Sequence, residues 1–139
     1  ILFLMLALMP AIGEELLFRG FIFGTLKNRC RPVCAMVIVS CIFGIYHMSL
    51  IKFFTTALLG MIIVFAVWKT KSIFSGMLLH FINNGLAVIS MRYPEVLDQM
   101  LPKFVKTATQ SQGMLIVLIT GSLMVIPGVL LLKGMKENS

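Results

Sequence analysis

The sequence is poor in charge. Asp, Glu, Lys and Arg make up only 12 % of its 139 residues, whereas hydrophobic residues make up 59 %. Soluble domains carry about 25 % charged residues and are about half apolar, so this scarcity, with a mean hydropathy of +1.01, predicts a membrane-embedded protein. The remaining charge is unbalanced at +7. Because the basic residues lie in short segments between apolar runs, they indicate membrane topology and contacts with lipid headgroups, not nucleic-acid binding.

Cysteines are also few, and the sequence lacks the pattern of a secretory leader. The three cysteines, Cys30, Cys34 and Cys41, are odd in number and have no CxxC spacing, so no disulfide framework is predicted. The first apolar run is not preceded by a basic region and contains no small-residue cleavage site, so it does not have the pattern of a signal peptide.

Long apolar runs dominate what is present. A membrane span needs about 20 apolar residues, and five segments come close to that length: residues 1–26, 33–50, 53–68, 73–91 and 114–132. The sequence therefore predicts an all-α, polytopic transmembrane helix bundle of about five spans. The first and third loops and the tail carry more Lys and Arg than the second and fourth loops. This bias predicts a multi-pass cell-membrane protein with its N-terminus outside and its C-terminus in the cytoplasm.

Three charges interrupt the first apolar run, in the stretch GEELLFRG. Each charge at the centre of a span costs about 2.5–3.5 kcal/mol, so pairing is expected. Glu15 and Arg19 lie four residues apart, which predicts an ion pair in the favourable order, with the acid nearer the N-terminus. Glu14 lies about 100° round the helix from Glu15. It is therefore the less compensated carboxylate and the better candidate for proton exchange.

Two other predicted spans contain polar side chains at similar depth. The only two histidines of the chain lie there: His47 follows Phe43 by four residues, and His80 precedes Asn84 by four residues, so each pair shares one helix face. At 1.5 Å per residue, Glu14, His47 and Asn84 lie about 17–21 Å from the cytoplasmic ends of their spans and His80 about 11 Å. The pattern favours one polar site shared by three helices. A structural ion pair with hydrogen bonds between helices is the alternative.

The motifs EExxxR (residues 14–19), FxxxH (43–47) and HxxxN (80–84) occur in this order. In this respect the sequence resembles the intramembrane CAAX-protease and bacteriocin-processing family. That family includes the eukaryotic type II CAAX prenyl endopeptidases and the bacterial Abi and bacteriocin self-immunity proteins. The motifs cover about half of the chain. The resemblance implies that residues 1–139 form a single CAAX-protease-like membrane domain. Family members usually have further spans before EExxxR. The resemblance therefore implies that upstream spans are missing from this sequence, which begins at Ile1.

The resemblance also implies roles for the motif side chains. The first Glu of EExxxR and the His of FxxxH, here Glu14 and His47, would activate water. The donors of HxxxN, here His80 and Asn84, would stabilise the oxyanion. These roles agree with the need to deprotonate water and to stabilise a tetrahedral intermediate. The partners would be a membrane-associated peptide or protein substrate and the lipid bilayer.

Two further points concern charge balance and cofactors. The remaining fixed positions of EExxxR, Glu15 and Arg19, are assigned to charge balance and orientation. Glu14, His47 and His80 would also make a His₂Glu set with an open position, a known catalytic zinc arrangement. A metal-free site is favoured, because a histidine and an asparagine on one helix face can act as a donor pair without a metal.

Two other function classes compete with a hydrolytic endopeptidase. In a proton-coupled transporter or channel the carboxylates and histidines would form a relay, but such a relay needs a continuous polar path and these residues cluster at one depth. A non-catalytic bacteriocin-immunity or membrane scaffold protein would retain the fold without the chemistry. Two reactions remain open from the sequence: removal of a C-terminal tripeptide by cleavage of a prenylated protein, and maturation of another peptide.

Overall fold

The computed structural model describes residues 1 and 3–95, and within these residues the chain is helical and forms no strand. Four consecutive helical segments form the first helix, which we call α1: Leu4–Leu8, Met9–Glu15, Leu16–Phe23 and Gly24–Leu26. The three helices that follow are α2 (Pro32–Tyr46), α3 (Leu50–Thr70) and α4 (Ile73–Arg92).

Helix α1 changes its winding at the charged motif. The backbone keeps right-handed helical dihedral angles where its segments join, so α1 is one continuous helix. The segments Leu4–Leu8 and Leu16–Phe23 are both π-helical, and the second begins directly after Glu15 and contains Arg19. π-Helical turns are rare, wider than α-helical turns and frequent at functional sites. The change in winding rotates Arg19 relative to the position it would have in a regular α-helix.

A tight turn separates α2 from α3. The last residue of α2 is Tyr46, and Met48 has a φ of 51°, a left-handed conformation that ends a helix. The side-chain oxygen of Ser49 then accepts a hydrogen bond from the backbone N–H of Lys52 at 3.4 Å, which caps the start of α3. The second helix is therefore shorter, and the third longer, than the predicted spans 33–50 and 53–68.

Glycines allow α2 and α3 to pack closely as an antiparallel pair. A Cβ atom on Gly44 would lie 3.0 Å from the Cβ of Ala57, and one on Gly60 would lie 3.0 Å from Phe43. The aromatic side chains of Phe18 and Phe43 pack edge to face between α1 and α2, with ring centroids 5.0 Å apart. Both are fully buried. Helix α4 packs against α1 and α3, so α2, α3 and α4 lie around the charged motif of α1.

In the part of the chain that the structure describes, two helices are long and apolar enough to cross a membrane, judged by length and composition: Lys52–Thr70 and Ile73–Arg92. The apolar helix Pro32–Tyr46 is shorter. The all-helical architecture agrees with the predicted fold class, but about five spans are not confirmed. The predicted span 114–132 lies outside the described residues. Many large apolar side chains on the outer faces are exposed, such as Phe54 at 77 %, and a membrane location accounts for them.

Candidate active site

Glu15 is the centre of the polar cluster and its side chain is completely buried. Its Oε1 accepts a hydrogen bond from the Arg19 guanidinium at 2.6 Å, so the structure contains the predicted ion pair. The same Oε1 lies 2.9 Å from Nδ1 of His80, which is on α4. Oε2 points at Gly76, where an added Cβ would lie 2.7 Å away. Glu15 therefore joins α1 to α4.

Arg19 joins α1 to the two other helices. Its Nη2 atom donates a hydrogen bond to the backbone carbonyl of Gly60 on α3 at 3.0 Å. Its guanidinium carbon lies over the ring of Phe43 on α2, 4.6 Å from the centroid, a cation–π contact. A buried charge needs a partner and hydrogen bonds to offset the loss of water. Arg19 obtains these from Glu15 and Gly60.

His80 lies between the two carboxylates of the motif, and its side chain is 3 % exposed. Nδ1 faces Glu15 at 2.9 Å, and Nε2 lies 3.8 Å from Oε2 of Glu14. Because Oε1 of Glu15 already accepts from Arg19, the proton of the His80–Glu15 bond belongs on Nδ1. The bond fixes both the orientation of the imidazole and the nitrogen that faces Glu14.

Glu14 is the less compensated carboxylate, as its position on the helix predicts. Its side chain is 20 % exposed. Its Oε2 is buried and makes no hydrogen bond to any residue that the structure describes. The 3.8 Å separation from His80 is longer than a hydrogen bond. Oε2 of Glu15 is likewise buried without a partner among the described residues, but its side chain is fully buried against Gly76, whereas Glu14 is partly exposed and can accept from another molecule.

His47 lies just beyond the end of α2 and is partly buried. Its Nδ1 is 2.9 Å from the backbone carbonyl of Phe43, and since a carbonyl oxygen only accepts, Nδ1 carries the proton. In the neutral ring Nε2 then has the lone pair. The rings of His47 and His80 both pack edge-on against Phe43, with centroid distances of 4.7 and 5.7 Å. Phe43 is therefore the side chain that joins the two histidines.

Asn84 lies one helical turn after His80 on α4 and is partly buried. Its Oδ1 accepts a hydrogen bond from Nδ2 of Asn83 at 3.2 Å, a bond that does not use the NH₂ donors of Asn84. The structure thus brings Glu14, Glu15 and His80 into one cluster, while Asn84 lies a turn away from it.

The sequence did not indicate every residue of this cluster. The contacts of Gly60 with Arg19 and of Gly76 with Glu15 were not expected, nor was the direct bond between Glu15 and His80. A signal for the glycines was available, because an isolated glycine in a helical pattern often has a packing or functional reason. The central contact of Phe43 was also missed, although Phe43 is the first residue of FxxxH.

Of the alternative zinc ligands, Glu14 is on α1, His47 follows α2 and His80 is on α4. Among the residues that the structure describes, no three His, Cys, Asp or Glu side chains are placed so that they could hold a metal ion. Glu14, His47 and His80, the alternative zinc ligands, therefore do not converge on one ion in this arrangement. What the site offers is acid–base chemistry. Within the cluster Glu14 has spare acceptor capacity and the ring of His80 is fixed, whereas His47 has a lone pair on Nε2 and is connected to the cluster only through Phe43.

Substitution of Gly76 with alanine tests how closely α4 approaches this cluster. The added Cβ would lie 2.7 Å from both Glu15 Oε2 and Val67 Cγ2, and neither side chain moves easily, because valine is stiff and Glu15 is hydrogen-bonded. We expect a loss of about 1–3 kcal/mol in the free energy of unfolding, as for other overpacked sites, measured by denaturant titration in detergent micelles. Gly13→Ala is the control, since nothing lies within 4 Å of its added Cβ. Equal stability of the two variants would contradict this close approach.

Comparison with known proteins places these residues in context. The family model described as type II CAAX prenyl endopeptidase Rce1-like matches residues 1–86. The chain is 34 % identical over 83 residues to the Bacillus subtilis (strain 168) protein "Putative membrane peptidase YdiL". The match covers 60 % of the chain but 34 % of that relative, so the chain spans about a third of its length. No solved structure matches the chain.

Proposed function

The chain belongs to the Rce1-like family of type II CAAX prenyl endopeptidases, and on that premise we propose that it is an intramembrane endopeptidase. It would hydrolyse a peptide bond of a membrane-associated peptide or protein. The observation that carries the proposal is the position of His80 between the carboxylates of Glu14 and Glu15 in the buried centre of the helices. Three charged or titratable groups held together away from solvent cost stability, and inside a membrane such groups mark functional sites.

Glu14 and His47 are the proposed pair that activates water. Glu14 has a buried oxygen with no hydrogen-bond partner among the described residues. His47 donates from Nδ1 to the carbonyl of Phe43, so its Nε2 can accept a hydrogen from water. A water held by both groups would lose one proton to the carboxylate while its second hydrogen is held by the imidazole. General-base assistance of this kind contributes about 10²–10⁴-fold.

His80 and Asn84 are the proposed donors to the oxyanion. Preorganised donors aimed at the tetrahedral oxyanion are commonly the largest contribution to acyl-transfer catalysis. The Nε2 side of His80 and the NH₂ group of Asn84 lie on one helix, one turn apart, which supports their joint use. Glu15 and Arg19 orient His80 and balance its charge. No metal takes part in the proposed steps.

The basic residues also give the proposed topology of the helices in the membrane. Five basic residues lie at one end of the helices, in or next to the connections from α1 to α2 and from α3 to α4: Lys27, Arg29, Arg31, Lys69 and Lys71. By the positive-inside rule this end faces the cytoplasm, which gives α1 an N-terminus on the outer side. The family name makes a prenylated protein with a C-terminal CAAX sequence the first substrate to test. The protein would then be a multi-pass protein of the cell membrane.

His47→Ala tests this function. We expect cleavage of a prenylated CAAX peptide by the full-length protein in liposomes to fall about 100-fold, because the water loses its acceptor at Nε2. The fraction inserted into the membrane should not change. Tyr46→Phe is the matched control, because it alters the neighbouring exposed side chain and leaves the imidazole in place. Normal cleavage by His47→Ala would refute the assignment. A different result would identify a non-catalytic immunity or scaffold protein. In that case neither wild type nor any variant cleaves the peptide, yet wild type and His47→Ala equally restore the phenotype of cells that lack the gene.

A further inference from the structure

Both ring nitrogens of His80 face carboxylate oxygens. Nδ1 is 2.9 Å from Glu15 and Nε2 is 3.8 Å from Glu14. Glu15 is fully buried and is also bonded to Arg19, so its hydrogen bond with Nδ1 is shielded from water and holds the imidazole in place. Nε2 is therefore the nitrogen that can exchange a proton, and Glu14 is the acid that it faces.

This arrangement restricts what His80 can do as a donor. With its Nδ1 proton committed to Glu15, His80 donates from Nε2 only when the ring carries both protons. A doubly protonated imidazole next to a tetrahedral intermediate can do more than stabilise an oxyanion, because it can give up the Nε2 proton and remain neutral, with its Nδ1 bond intact. An asparagine amide, such as that of Asn84, has no proton to give.

We propose that His80 delivers the Nε2 proton to the leaving amine and then regains a proton from Glu14. This inference rests on the proposed endopeptidase function and extends it from the attack of water to the breakage of the peptide bond. His80 is then a catalytic residue with a second role. Glu15 is a positioning residue that fixes the ring through Nδ1.

The protons and electron pairs balance over one cycle. Glu14 takes a proton from water as the water oxygen forms a bond to the carbonyl carbon, and the carbonyl π pair moves to oxygen. When the carbonyl re-forms, the C–N bond breaks, its electron pair stays on nitrogen, and the nitrogen takes the Nε2 proton of His80. Protonated Glu14 then returns the proton to the lone pair on Nε2. For this return, Glu14 Oε2 and His80 Nε2, which lie 3.8 Å apart, move to hydrogen-bond distance or share a bridging water.

Leaving groups of different basicity test the proposal. A weakly basic leaving group such as 4-nitrophenolate departs without being protonated, whereas the nitrogen of an amide must be protonated before it can leave as an amine. The full-length protein would be given one prenylated peptide with a scissile amide and its analogue with a 4-nitrophenyl ester at the same carbonyl. His80→Gln keeps an N–H donor but removes the transferable proton. We expect it to lower amide cleavage about 100-fold and to change ester cleavage by about fivefold at most.

Asn84→Ala is the control, since loss of an oxyanion donor should slow both substrates by a similar factor. An equal loss on both substrates in His80→Gln, or no loss on either, would overturn the proposal. If His80→Gln does not fold, wild-type rates along a series of ring-substituted anilides replace it. A weak dependence on the basicity of the leaving nitrogen is expected, and a steep increase for less basic nitrogens would overturn the proposal. Failure of the endopeptidase function itself would appear differently, as wild-type protein that cleaves neither substrate or as full activity of His47→Ala.

Discussion

Glu14→Gln is expected to lower peptide cleavage about 10³-fold, within the range of a lost general base, without lowering the stability of the protein. Glutamine has nearly the same shape as glutamate but cannot take a proton from water. The carboxylate oxygen that it replaces is buried and makes no hydrogen bond within the described part of the chain. Removal of a poorly compensated charge costs the folded state little. The measurements are the cleavage rate in liposomes and the free energy of unfolding in detergent micelles.

Two matched substitutions give this prediction its controls. Glu95→Gln makes the same chemical change at an exposed position beyond the end of α4, and it should leave both activity and stability unchanged. Glu15→Gln makes the change at the neighbouring buried carboxylate, where it removes the charge partner of Arg19. It should lower activity and stability together. Activity within tenfold of wild type in Glu14→Gln would contradict the role of Glu14 as the acceptor of the water proton.

The local part of the site could be predicted from the sequence, whereas its contacts between helices could not. The Glu15–Arg19 pair follows from a spacing of four residues on one helix. The bond between Glu15 and His80 joins residues 65 apart, and it depends on how α1 and α4 are rotated against each other. A uniform rise of 1.5 Å per residue placed His80 about 7 Å nearer the cytoplasmic end than Glu14. The π-helical turns of α1 and the tilt of the helices do not enter such an estimate.

The boundaries of α2 and α3 differ from the predicted spans for a second reason. Hydropathy alone cannot locate the turn after α2, because the residues on both sides of it are apolar. The turn depends on the left-handed backbone of Met48 and the cap at Ser49. Ser49 is of a residue type that favours the start of a helix, a signal that hydropathy does not contain. As a result His47, which was expected inside a span, lies just after the end of α2, where its imidazole bonds back to the last turn of the helix.

Arg19→Met is expected to have the largest effect on stability, a loss of about 3–5 kcal/mol in the free energy of unfolding, as when one partner of a buried ion pair is removed. Methionine fills much of the same volume and can still pack against Phe43. It leaves the carboxylate of Glu15 buried and without its cation, and it removes the donor to the Gly60 carbonyl. The loss therefore arises from an uncompensated charge and not from a cavity.

The double variant Glu15→Gln, Arg19→Met tests whether the unpaired carboxylate of Glu15 causes the loss of stability, or whether any substitution in α1 would cause it. With the carboxylate neutralised, part of the lost stability should return, because replacement of both members of a buried pair costs less than removal of one. The difference from the sum of the single variants gives the coupling between the two side chains. Arg92→Met, at the exposed end of α4, is the control and should change stability little. Simple additivity of Glu15→Gln and Arg19→Met would mean that the pair does not hold the helices together, and the orientation of His80 would then need another source.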